Sequence, residues 1–308
     1  MKNDSLLRKL VSFLVKYKTL WVVLAVAVFG FAVSSFYLNS RSRNVHQVEA
    51  VNKAVNKFVY VPFSPTPTIL PTPTPTPKPL TFAQMNALYG PCVHFPVLMY
   101  HHIQSKNAAI ANKQTSLSVY TDYFTAQMQY LKDKGYNVLP MSDLVNFFDS
   151  GIPIPPRSVL VTFDDGYEDF YTDAYPILQK LGIPATMFLP TGLVGNPGYL
   201  TWNQISQMSG QILFANHTWS HANVELSDQK MRYEISTADA QLSDHSLNFP
   251  KVFAYPYGLA SSQAEGYLSS LGYKAAFTTV SGSILCKKNR FDLPRIRIGN
   301  ASLSRYGF

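Results

Sequence analysis

Two carboxylates and two imidazoles carry the most readable chemistry in this 308-residue chain. Thr162-Phe163-Asp164-Asp165-Gly166 sets two acids side by side, and His217-Thr218-Trp219-Ser220-His221 follows about fifty residues later with its histidines four apart. Catalytic zinc sites take three protein ligands of His and carboxylate type and leave a fourth position for water. A further carboxylate beside such a site can act as the base that activates that water. Asp-Asp-Gly alone is an ordinary turn, and a His-x-x-x-His pair alone is often structural. Together, and in context, they point to metal-assisted hydrolysis.

Such groups need rigid elements behind them. Ser158-Val159-Leu160-Val161-Thr162-Phe163 has the unbroken apolar character of a buried strand. The Asp pair then falls at a strand's C-terminal end, where α/β barrels keep their catalytic residues. Further strands are expected at 95–100, 185–189, 212–215, 252–255, 275–279 and 295–298. Helices are expected at 123–134, 142–148, 174–181, 201–208, 228–245 and 263–271, with Ser142 and Thr201 as N-caps and Gly151, Gly182 and Gly272 as stops. This alternation argues for βα units around a parallel sheet. With about seven strands the fold class is α/β, a distorted or incomplete (β/α)7-type barrel.

The two motifs, in this order, resemble the polysaccharide deacetylase family, the carbohydrate esterases with a NodB-like domain. The resemblance runs from about Val93 to Ile298 and includes Asn216 and Ser220 of an Asn-His-Thr-x-Ser-His segment. It implies the same fold, with Asp164 as catalytic base and Asp165, His217 and His221 as ligands of a divalent metal, zinc being the expected ion. The family takes an oxyanion donor from an Arg-x-Pro-Tyr segment. Phe253-Ala254-Tyr255-Pro256-Tyr257-Gly258 matches it, which points to the backbone amide of Tyr257. Ala254 stands where the family has the arginine that braces the base.

Many members place the acid histidine late in the chain, but no histidine follows His245 here. Pro96-Val97-Leu98-Met99-Tyr100-His101-His102-Ile103 instead resembles the branch with permuted motif order, typified by extracellular poly-N-acetylglucosamine deacetylases. There a Tyr-His pair on the first strand supplies the acid, and His101 is the match. Strand alternation sends His101 and His102 to opposite faces, so only one is expected to reach the metal. The implied activity is removal of N-acetyl groups from an N-acetylglucosamine-containing polysaccharide. A rival from another class is a catalytically impaired glycan-binding head, suggested by Ala254 and the missing late histidine. Tyr167, Trp202, Trp219 and Tyr257 are available to stack on sugar rings, whereas His46, His94 and His245 are expected to be surface groups.

The formal net charge is +8, yet residues 1–89 hold ten Lys/Arg against two acidic residues, and residues 90–308 hold sixteen of each. The expected folded part has no basic bias of the kind duplex binding needs, so a nucleic-acid partner is not expected. Residues 19–38 carry no charge and have the length of a bilayer-spanning helix. Basic residues precede them, which puts the N-terminus in the cytoplasm. An uncleaved anchor is preferred to a cleaved signal peptide, because the uncharged run continues past the small-residue site Ala32-Val33-Ser34. Prolines alternate through residues 64–79, an extended spacer with a reach on the order of 50 Å. The expected organisation is a cytoplasmic tail (1–18), a transmembrane anchor (19–38), an extracytoplasmic Pro/Thr-rich linker (39–89) and a catalytic domain (90–308) held outside the cell membrane. Cys92 and Cys286 lie near the two ends of that domain. An exported location permits a disulfide between them; two unrelated buried thiols are the other reading.

Overall fold

The computed structural model describes residues 79–308 apart from residue 226. The expected anchor and residues 39–78 of the expected linker therefore lie outside the described residues. Among the described residues no helix is long and apolar enough to cross a membrane.

Seven strands form the frame: β1 (Val97–Tyr100), β2 (Ser158–Asp164), β3 (Ala185–Leu189), β4 (Ile212–Asn216), β5 (Val252–Ala254), β6 (Ala275–Ser281) and β7 (Leu293–Arg297). Each pairs in parallel with the next, and β7 returns to pair with β1. The ring is thus closed rather than incomplete. Its irregularities are a register shift between Phe277 and Ser281 on β6 and a single paired position, Asn216↔Phe253, joining β4 to β5. A short strand, Asn137–Val138, adds to β2 from outside the ring.

Alternation along β2 shows how this sequence specifies a barrel. Val159, Val161 and Phe163 pack with Phe124, Met128, Leu131 and Leu178 from the surrounding helices. Leu160 joins Val97, Phe188, Phe277 and Leu293 in a separate cluster. With a side-chain period of two, Thr162 and Asp164 continue the face of Leu160.

The helices fall where apolar spacing placed them, within a few residues at each end. Thr201 caps Trp202–Met208 and Gln204 returns a bond to the Thr201 amide, a reciprocal pair that satisfies two otherwise free backbone donors. Ser142 is not a cap. The helix Met141–Ser150 begins behind Pro140, whose fixed φ suits the entry. The helix expected from 174 starts at Tyr175 and follows a wider π turn at Phe170–Ala174.

Cys92 and Cys286 are bonded. They face each other across an antiparallel pair, Cys92–His94 with Ile284–Cys286, that alternation within β1 to β7 does not reveal. The bond closes a loop of 194 residues. Cross-linking so long a loop restricts the unfolded chain, and losing a native disulfide typically costs about 2–5 kcal/mol. Replacing both cysteines by serine is therefore expected to lower the thermal midpoint by several degrees in calorimetry. An unchanged midpoint would show the bridge to be energetically idle.

Candidate active site

Asp164 ends β2 on its inward face and is 2% exposed. Consecutive strand residues point to opposite sides, so Asp165 would face away if the strand continued. It does not continue. Asp165 takes φ +78°, and this left-handed turn ends the alternation immediately after Asp164.

The histidines leave β4 in a similar way. Asn216, fully buried, donates to the Ile235 carbonyl at 3.1 Å and the Tyr273 hydroxyl at 2.6 Å, while its own carbonyl accepts the Thr218 amide at 2.8 Å. Four residues further on, the buried carboxylate of Glu234 accepts the Ser220 amide and hydroxyl. Asn216 and Ser220 thus shape the loop that presents His217 and His221.

Eight non-glycine residues among those described have positive φ. Asp165, Thr218, His221 and Tyr257 are four of them. Such conformations cost on the order of 1–3 kcal/mol each and cluster where a site over-determines them. Thr218, being β-branched, is the least natural occupant. Its carbonyl is engaged by the Thr191 amide, and the next one by Gly192.

The expected ligands converge. His221 Nε2 lies 3.0 Å and His217 Nε2 3.4 Å from Asp165 Oδ1, and one ligand atom from each residue fits within 4.8 Å of the others. His217 Nδ1 is 2.7 Å from the Ala254 carbonyl, which can only accept. That bond places a proton on Nδ1 and leaves Nε2, turned toward Asp165, as the ring nitrogen available to a metal. Asp165 Oδ1 is buried without a hydrogen-bond partner. A buried carboxylate oxygen with two imidazole nitrogens beside it is a donor set that a cation would complete. The residues present fit a divalent metal of the three-ligand catalytic type.

Asp164 has a guanidinium partner despite Ala254. Arg295, projecting from β7 and 0% exposed, makes a two-pronged contact with Asp164, Nη1 to Oδ1 at 2.7 Å and Nη2 to Oδ2 at 2.6 Å. Its Nε donates to the Thr278 carbonyl at 3.0 Å. Burial pushes the Asp164 carboxyl up, but the charge and hydrogen bonds of Arg295 more than reverse this and hold it below the usual carboxylate value. Asp164 is thereby held ionised, the state that the expected base needs. The sequence signal for Arg295 is its place at the head of an expected strand, 295–298, of a parallel sheet, where a guanidinium that becomes buried needs an anion.

His101 follows β1 and is partly buried. Burial pushes its imidazole down, against the opposing pull of the nearby Asp164 and Asp165 carboxylates. His102 is held elsewhere, with Nδ1 2.5 Å from Asp169 Oδ2. The two histidines do not share one strand: the strand ends at Tyr100 and His101 follows it, so alternation does not set their directions. Tyr257 is 64% exposed in a left-handed conformation, its ring edge-on to His221 at 4.8 Å. Gly258 after it has φ +78° and sits so close to Thr279 that a Cβ would meet Oγ1 at 2.0 Å, so the turn requires glycine.

Among the expected sugar-stacking aromatics, Tyr167 and Tyr257 stand beside the metal-site residues. Burial first, then the Asp165 charge, raises the Tyr167 phenol. Trp202 is instead stacked on His245 at 3.9 Å, and Trp219 packs edge-on to Tyr233.

Comparison with known proteins gives the family and the fold. The polysaccharide deacetylase family pattern matches residues 152–276. The Bacillus subtilis protein YxkH, named as a polysaccharide deacetylase, is 30% identical over 205 residues, 66% of this chain and 71% of that protein. The Escherichia coli poly-β-1,6-N-acetyl-D-glucosamine N-deacetylase is 28% identical over 254 residues, covering 67% of this chain; the chain spans only 37% of that relative. The Streptococcus pyogenes deacetylase PplD, solved with acetate, superposes with TM-score 0.63 at 31% identity, covering 70% of this chain and 96% of PplD.

Proposed function

The chain belongs to the polysaccharide deacetylase family and is an amide-hydrolysing enzyme, and on that premise we propose that it removes N-acetyl groups from poly-β-1,6-N-acetylglucosamine outside the cell membrane. The observation that carries the chemistry is the convergence of Asp165, His217 and His221 beside an ionised Asp164. The glycan comes from the similarity to the Escherichia coli enzyme of that name. Residues 19–38 would anchor the chain and residues 39–89 would carry the catalytic domain, from residue 90 on, away from the bilayer.

In this reading Asp165, His217 and His221 hold a divalent ion, zinc being the expected one. When bound, it supplies Lewis-acid polarisation of the acetyl carbonyl and a lowered pKa for water. Asp164 accepts the proton of the attacking water, fixed in position by Arg295. The Tyr257 amide donates to the oxygen that gains negative charge as the carbonyl carbon becomes tetrahedral. His101 gives a proton to the departing nitrogen as the C–N bond breaks. Acetate and a free glucosamine amine result, and the glycan becomes more cationic. The impaired glycan-binding alternative rested on Ala254 and on the missing late histidine; against the first, Arg295 provides a guanidinium for Asp164 from another strand.

Acetate release across a glycan panel tests the proposal. Poly-β-1,6-N-acetylglucosamine is expected to turn over fastest, ahead of chitin oligomers and cell-wall glycan. Turnover of a small N-acetylated amide with none from any polymer would assign the same chemistry to another substrate class.

A further inference from the structure

His101 and Asp165 come from neighbouring strands, yet no sheet hydrogen bonds set their separation. The β1–β2 ladder ends at Tyr100↔Phe163. Beyond it His101 lies outside any strand and Asp165 turns left-handed. What joins the two segments next is His102. Its Nδ1 donates to Asp169 Oδ2 at 2.5 Å, and the Ile103 amide donates to Asp169 Oδ1 at 3.3 Å. The His102 ring also stacks on Tyr167, 3.6 Å between centroids and 15° from parallel. The residue after His101 is thereby tied to a carboxylate four residues beyond Asp165 and to the aromatic ring between them. His102 is 3% exposed, so the contacts form out of water, where a charge-assisted hydrogen bond is strong.

We propose that the His102–Asp169 pair, with Tyr167 stacked on it, is a positioning clamp that sets the acid His101 against Asp164 and the metal ligands. The inference rests on His101 being the acid. The clamp touches no reacting atom. Its effect is on distance, and misplacement by about 1 Å can cost on the order of 10²-fold in rate.

The test compares two substrates on the full chain: a β-1,6-linked N-acetylglucosamine oligomer, whose amine must be protonated to leave, and p-nitrophenyl acetate, whose phenolate leaves unaided. Asp169→Asn and His102→Ala are each expected to lower kcat on the oligomer by about 10–100-fold and on the ester by less than about threefold, with metal content unchanged. The double variant should be no worse than the poorer single, since both break one contact. His102→Asn, which keeps an N–H donor near the Nδ1 position, should recover part of the loss. If His102→Ala fails to fold, the near-isosteric Asp169→Asn carries the comparison. Equal losses on both substrates, or additive ones, would reduce the pair to a stabilising contact and overturn the proposal. His101→Ala separates the two levels of the argument. If it lacks the amide-selective defect, the acid assignment itself falls; if it has the defect and the clamp variants do not, only the clamp falls.

Discussion

Asp164→Asn is expected to lower turnover by about 10²–10⁴-fold, the usual contribution of a positioned general base, while the protein keeps its metal. Asp165→Asn should do the opposite in order, losing metal first and activity as a consequence. The two carboxylates are adjacent in sequence but differ in partners. Asp164 is taken up by the Arg295 guanidinium, whereas Asp165 Oδ1 is buried against two imidazole nitrogens without a hydrogen bond of its own. Elemental analysis of both variants beside their acetate-release rates decides the point. Equal metal loss would show that the roles have been divided wrongly.

Arg295→Met is expected to produce the largest loss of stability, because it strands a charge. Breaking a buried ion pair by removing one partner typically costs about 3–5 kcal/mol, and Arg295 and Asp164 are both buried. The pH dependence should change sign with it. In the parent protein the Asp164 carboxyl lies below its unfolded value of about 3.9, so its contribution is fully present above that pH. That contribution is lost as pH falls through the folded value. Without Arg295, burial, the largest single influence, is opposed only by the smaller pulls of His217 and His101, and the folded value should rise above the unfolded one. The variant should then be least stable near neutrality and gain relative stability on acidification. Urea melts of the metal-free proteins at several pH values would display the crossing, and parallel curves would contradict it. Adding Asp164→Asn to Arg295→Met should restore part of the stability without restoring turnover.

How much of this was legible in the sequence depended on how local each cause is. The buried run 158–163, the helix stops and the Asp-Asp and His-x-x-x-His motifs act within a few residues, and the elements they specify are present. The grouping of Asp165, His217 and His221 was implied by the family resemblance of two motifs that each follow a recognisable strand. Arg295 could not be placed that way. Its contact with Asp164 spans 131 residues and exists only because β7 closes the ring beside β1. Ala254 therefore read as a loss, although a guanidinium reaches Asp164 from another strand. The His102–Asp169 contact, 67 residues apart, was hidden for the same reason. Trp202 illustrates the reverse case. The sequence offers its ring for stacking without fixing its direction, and in the fold the ring lies on His245.

The most direct test of the account is a metal titration of activity. Protein stripped with a chelator should release no acetate from poly-β-1,6-N-acetylglucosamine, and activity should return in proportion to added zinc until about one equivalent is bound. His217→Ala should fail to recover at that stoichiometry. A stripped protein that remains fully active, with metal content verified as absent, would contradict the assignment of Asp165, His217 and His221 as the catalytic metal site.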